Sequence, residues 1–168
     1  MPEGPIVCNA GPLIALVLAG QLRVLGSLYQ RVLVPEAVIY EVTDAGSGRV
    51  GAEEIASSSW LERVPAGPSL EPLLAKELGP GEAAVISAAH RLGAKLVLID
   101  ERRGRRIAEQ AYGLRVKGSA GILISAKRAG LITAVRPCLE AMRTHGYYLS
   151  QRLFERALEE AGEISLPA

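Results

Sequence analysis

Apolar and polar positions alternate along the chain in two registers, short unbroken runs and longer stripes at helical spacing. Ile6 to Cys8, Arg31 to Val34, Trp60 to Val64, Lys95 to Ile99 and Leu114 to Val116 read as five strands, of which KLVLI is the clearest buried one. Between them lie helical stretches. Ala10-Gly11-Pro12 opens a helix with Leu13, Leu16 and Val17 on one face, closed at Gly20. Leu22 to Tyr29 is a second, short one. Pro35 starts a helix through Val42, since Val34, Val38 and Val42 repeat every four residues. Asp44 to Gly51 reads as a Gly/Ser loop, Glu53 to Ser58 as a weak helix, and Leu70 to Leu78 as a helix broken by Gly79-Pro80-Gly81. Helices follow over Glu82 to Leu92, Arg102 to Tyr112, Gly118 to Ala129, Thr133 to Thr144 and Ser150 to Ala161. Strands that alternate with helices predict an α/β domain with a mainly parallel sheet, helices on both faces and a helical C-terminal extension over 130–162. No repeat or linker divides 1–168, so a single domain is expected.

Composition narrows the chemistry. The chain has 168 residues, enough for one ordinary core, and a net charge of +1, which excludes a polyanionic tail or a strongly basic coat protein. Aromatics make up 4%, so base stacking is not expected to be the main mode of any nucleic-acid binding. Cys8 and Cys138 are far apart, without zinc spacing, and read as buried reduced thiols of a cytoplasmic protein. No apolar run reaches the ~20 residues of a membrane span, and the start lacks the pattern of a signal peptide. The acids are lopsided: 16 Glu and two Asp, Asp44 and Asp100. A carboxylate site must therefore lean on glutamate.

In an open parallel sheet, ligands bind beyond the carboxyl ends of the strands, where strand order reverses. Asn9 follows the first strand, Asp100 and Glu101 follow the fourth, and Ser119 follows the last. Glu82 stands in a first helical turn beside the stripe of Val85, Ile86 and Ala89, and Glu41 edges the core side of its helix. Carboxylates gathered there would suit Mg²⁺ or Mn²⁺. Each also has a structural alternative. Glu82 favours the helix dipole, Glu41 suits a surface, Asp100 or Glu101 caps the following helix, and Asn9 suits a turn. Arg102, Arg103, Arg105 and Arg106 are the densest basic cluster, either a phosphate-contacting patch or a solvated helix face.

Six segments in order resemble the PIN-domain family. Val7 to Leu16 (VCNAGPLIAL) is similar to its opening strand and helix start. Val34 to Val42 (VPEAVIYEV) is similar to its second segment, with Glu41 as the acid. Leu78 to Ile86 (LGPGEAAVI) resembles the LGxGEAxAI stretch of one branch. Leu96 to Arg106 (LVLIDERRGRR) resembles that branch's LLIDDRxAR stretch. Val116 to Leu123 and Ala126 to Ile132 resemble its VxGTLGVL and AKxxGLI stretches.

The resemblance implies a three-layer α/β/α sandwich around a five-stranded sheet. It implies an acidic cleft that binds Mg²⁺ or Mn²⁺ and cleaves single-stranded or structured RNA. Asn9, Glu41, Glu82 and Asp100 would be catalytic, and Glu41, Glu82 and either Asp100 or Glu101 would hold the metal, with Asn9 orienting it or a bound water. Arg102, Arg103, Arg105, Arg106 and Ser119 would hold the RNA. Many PIN proteins are toxins of toxin–antitoxin pairs, homodimeric and inhibited by a small partner protein, so a small antitoxin and a homodimer are expected here. The sequence departs from the pattern at Asn9, where an Asp is usual, and at Glu101, where the branch has a second Asp. The loss of a charge at Asn9 motivates the alternative, a catalytically impaired RNA- or protein-binding module.

Overall fold

The strands are β1 (Ile6–Cys8), β2 (Val32–Pro35), β3 (Leu61–Val64), β4 (Leu96–Leu98) and β5 (Arg115–Lys117). They form one sheet of order β3-β2-β1-β4-β5, parallel throughout, with Val7 opposite both Leu33 and Val97. The computed structural model describes residues 4–44, 51–65, 67–68 and 72–167. β1 and β4 are covered on both faces, so every residue of IVC and LVL is buried. The edges carry charge instead: Glu62 and Arg63 on β3, Arg115 and Lys117 on β5. Charged edge strands discourage pairing with another chain.

The helices are α1 (Ala10–Leu18), α2 (Val24–Tyr29), α3 (Glu36–Ile39), α4 (Ala52–Ser57), α5 (Pro72–Glu77), α6 (Pro80–Leu92), α7 (Arg102–Tyr112), α8 (Ser119–Arg128), α9 (Arg136–Thr144) and α10 (Gln151–Glu160). α6 packs on β1, β2 and β4 and against α3, α5 and α7, while α8 packs against α1, α2 and α10. The result is the expected α/β/α sandwich. Leu139, Met142, Leu149 and Leu158 of the C-terminal helical region are buried in this core, and Leu153 is left exposed. Cys8 and Cys138 are free and buried. Among the described residues, no helix is long and apolar enough to cross a membrane.

Three element boundaries differ from the sequence expectation for identifiable reasons. The helix expected over Pro35 to Val42 is α-helical only to Ile39 and then widens into a π-turn, Tyr40–Asp44. The Thr43 hydroxyl donates to the Ile39 carbonyl at 2.6 Å, a back-bond that competes with the regular ladder. α6 begins at Pro80, before Glu82, because Pro lacks only an N–H that the first turn leaves unbonded anyway. α9 begins at Arg136, with Pro137 in its first turn. The loop expected over 45–50 and the helix start expected at Leu70 lie outside the described residues.

The C-terminal extension is tied down by one side chain. Glu163 accepts from the Val135 and Arg136 amides at 2.7 and 3.0 Å and from Lys127 Nζ at 3.1 Å, so it caps α9 from 27 residues away. Burial pushes its carboxyl up, but the two amides and the ammonium pull it further down, to below the ordinary carboxylate value. A depressed folded-state pKa adds stability that is present above the unfolded value and lost as pH falls through the folded one. Glu163→Gln is therefore expected to destabilise the protein by about 1–3 kcal/mol at pH 7, the scale of charge-assisted bonds. The deficit should shrink as pH drops below about 4.5, the reference carboxyl value. Urea unfolding of both proteins across pH 3–7 measures it, and a pH-independent deficit contradicts this account.

Candidate active site

The chain runs outward from β1 to β2 and β3, then returns to lay β4 on the other side of β1. The sheet therefore has its switch point between β1 and β4, where a crevice opens at the carboxyl ends. Asn9 leaves β1 there, its amide still bonded to the Leu98 carbonyl at 2.9 Å.

Asn9 is the N-cap of α1, yet its side chain caps nothing. An N-cap oxygen ordinarily accepts from the second or third helical N–H. The third position here is Pro12, which has none. Asn9 is 6% exposed, and its Oδ1 is buried without a hydrogen-bond partner. The orphaned oxygen lies beside Glu41. A Cβ placed on Gly81 would meet Glu41 Oε2 at 2.8 Å and Asn9 Oδ1 at 3.6 Å. Gly81 is thus the residue that lets α6 approach, and the π-turn is what carries Glu41 over it. Single wide turns of this kind occur often at functional sites.

Glu82 follows on the same first turn and is half-buried. Its carboxyl is pushed above the ordinary value, first by burial, then by the charge of Glu101 and less by that of Glu41. A hydrogen bond to the Gly79 backbone pulls the other way, the reach-back of a capping box. Glu101 comes from the other wall. It is the N-cap of α7, with Oε2 accepting from the Gly104 amide at 2.7 Å. A Cβ on Gly104 would sit 3.5 Å from Glu101 Oε2 and 3.9 Å from the Glu82 carboxyl carbon. The crevice therefore gathers Asn9, Glu41, Glu82 and Glu101.

Asp100 stands at the same strand end, beside Gly11 in the first turn of α1, with both carboxylate oxygens engaged. Its Oδ1 accepts from the Ser119 amide at 2.6 Å, and its Oδ2 accepts from the Tyr147 hydroxyl in a short hydrogen bond. It caps α8 from outside and ties the segment after α9 to the sheet. Burial, the Asp100 charge and this bond together hold the Tyr147 phenol far above its ordinary pKa. Tyr147 was invisible to sequence reasoning, because no local pattern links it to a carboxylate 47 residues earlier. Ser119, expected to face a phosphate, is 3% exposed and lies in the core end of α8.

The arginines divide. Arg103 pairs with Glu77 at 3.0 Å on the surface. Arg102 and Arg106 are exposed and Arg105 is half-buried, and among the described residues none of these three forms an ion pair. All three stand on α7, the helix that Glu101 caps. His90 and His145 are exposed and make local contacts: His90 meets Tyr112 edge-on, and His145 bonds its own helix.

The crevice suits a divalent cation in kind. Its donors are all oxygen, three of them carboxylates, with an unpartnered amide oxygen at its floor. Among the described residues no three Asp, Glu, His or Cys side chains stand within one coordination sphere. The carboxylates are within electrostatic range of one another and spaced more widely than a closed cage.

A family model described as a PIN domain matches residues 5–163. No curated protein matches the chain. PIN domains are nuclease-like modules that in general depend on a divalent metal.

Proposed function

Because this chain belongs to the PIN-domain family, we propose that its crevice is a metal-dependent ribonuclease site and the protein the toxin of a toxin–antitoxin pair. The observation that carries the catalytic half is the approach of Glu41, Glu82, Glu101 and the orphaned Asn9 oxygen at the switch point. On this reading Glu41, Glu82 and Glu101 would draw in a Mg²⁺ or Mn²⁺ ion, directly or through its water, and Asn9 would offer a neutral oxygen to the ion or to its water. Such an ion, when bound, would supply an acidified water and offset charge on the scissile phosphate and the departing oxygen. Arg102 and Arg106 hold the RNA backbone over the mouth, and Arg105 lines its α8 side. Near-neutral net charge makes this attraction local. Asp100 is a positioning residue in this scheme: by tying the β4 end to α8 it presents Glu101. We assign the protein to the cytoplasm and expect it to act as a homodimer restrained by a small antitoxin. The toxin role rests on the resemblance of the six segments to toxin-type PIN proteins.

The test is RNA cleavage by purified protein with Mg²⁺ or Mn²⁺, abolished by EDTA and restored by excess metal. Growth arrest on induced expression, relieved by a neighbouring small reading frame, tests the toxin half. The orphaned amide at position 9 also supports a second reading, an impaired RNA-binding module. Asn9→Asp decides between the two: a rise in rate of more than about tenfold from near zero favours the impaired module, since a charged ligand stabilises the metal more than an amide. Cleavage that is already robust in the unaltered protein favours the enzyme.

A further inference from the structure

Beyond the crevice, two glycines at the start of α8 are each crossed by a basic side chain. A Cβ on Gly118 would meet Arg105 Nη1 and Asp100 Oδ1, each at 2.8 Å, and a Cβ on Gly121 would meet Lys117 Cγ at 2.8 Å. Lys117 continues along the helix and its Nζ donates to Ser125 Oγ at 2.8 Å. Arg115 precedes it by two residues on the edge strand β5, and Arg128 ends α8. Arg105 stands at the N-terminal end of α8, Lys117 lies along it, and Arg128 closes it.

We propose that this line of cations along α8 is a second nucleic-acid subsite, which holds the phosphodiester backbone of single-stranded RNA as it leaves the crevice. The proposal rests on the ribonuclease reading of that crevice. α8 is ten residues long and spans about 15 Å, room for a few nucleotides. The line is only partly offset by carboxylates: Asp100 Oδ1 stands beside Arg105 at Gly118, and Glu160 acts on Lys117 and Arg128. Arg115 makes no ion pair among the described residues, and Arg128 reaches only Glu160, at 3.9 Å between two exposed side chains. Burial and the charges of Arg115 and Arg128 together lower the Lys117 pKa, while Glu160 raises it. Cations that repel one another in the free protein are relieved by a polyanion laid across them. Charged side chains on an edge strand also discourage strand pairing, but that purpose places no demand on Gly118 or Gly121.

The experiment measures RNA binding by fluorescence anisotropy in EDTA, for a ~4-nucleotide and a ~15-nucleotide single-stranded RNA, over a range of salt. The variants are Arg128→Gln, at an exposed helix end, and Lys117→Met, which keeps the stem over Gly121. Each should weaken binding of the longer RNA about fivefold, lower its salt slope by about 0.7, the single-strand value per contact, and leave the short RNA unchanged. Equal losses on both RNAs, or no loss on either, overturn the subsite. An unaltered protein that cleaves RNA while neither variant changes the length dependence overturns the subsite alone. An unaltered protein that neither binds nor cleaves RNA overturns the ribonuclease reading with it.

Discussion

Replacing Glu82 with Gln is expected to lower metal-dependent RNA cleavage by at least about 100-fold, the scale on which losing one group that stabilises the transition state acts. The same change should leave the metal-free protein slightly more stable at neutral pH. The two effects share a cause. Glu82 is half-buried and faces the charges of Glu101 and Glu41, so its folded-state pKa lies above the ordinary 4.5. A raised carboxyl pKa contributes stability that is fully present below the unfolded value and is lost as pH rises through the folded one. Near pH 4 Glu82 is largely protonated and Gln imitates it, so the two proteins should melt together. At pH 7 the unaltered protein carries the Glu82 charge against its burial and its acidic neighbours, and Gln removes that charge. Glu82 remains partly in water, which screens the repulsion, so the gain in Tm is about 1–3 °C. Adding Mn²⁺ should raise the Tm of the unaltered protein at pH 7 and move that of Glu82→Gln much less. Thermal melts in EDTA and in Mn²⁺ at both pH values, beside a cleavage assay, make the comparison. A variant that melts lower than the unaltered protein in EDTA at pH 7 would mean that Glu82 serves the fold.

The legible part of this protein is the part set by local pattern. β1 and β4 are sandwiched between helices, so they appear as unbroken apolar runs and were placed to within a residue or two. The four-residue repeat of Val34, Val38 and Val42 correctly marked buried positions, because a π-turn begun at Tyr40 still leaves Val42 facing inward. The widening itself depends on the Thr43 hydroxyl choosing the Ile39 carbonyl, which no periodicity reports. Asn9, Glu41 and Glu82 stand out in the sequence by their places after β1, beside a core stripe and in a first turn, and those places bring them near one another. What spacing could not decide was the choice between Asp100 and Glu101. Adjacent residues at a strand end point in opposite directions. Which one enters the crevice depends on partners far along the chain, Ser119 and Tyr147.

Opposite outcomes are therefore expected for the two neighbours. Glu101→Gln should lower cleavage about 100-fold or more and change the Tm by no more than about 2 °C. Its amide oxygen still accepts from the Gly104 N–H and so keeps the α7 cap, while the charge beside Glu82 is gone. Asp100→Ala should do the reverse. It strips partners from the Ser119 amide, at the buried start of α8, and from the half-buried Tyr147 hydroxyl. Leaving such groups unpartnered costs about 1–3 kcal/mol each, so the Tm should fall by about 5–10 °C. Assayed well below that Tm, Asp100→Ala should retain cleavage within about tenfold, because the residue acts through Glu101. Tyr147→Phe separates position from charge: it removes one of the two bonds and should produce roughly half of the stability loss with the metal dependence of cleavage unchanged. If Asp100→Ala melts normally and loses Mn²⁺ binding, while Glu101→Gln keeps it, the two assignments are exchanged. The crevice would then be built from the aspartate, and the hydrogen bonds from Ser119 and Tyr147 would serve to orient a ligand.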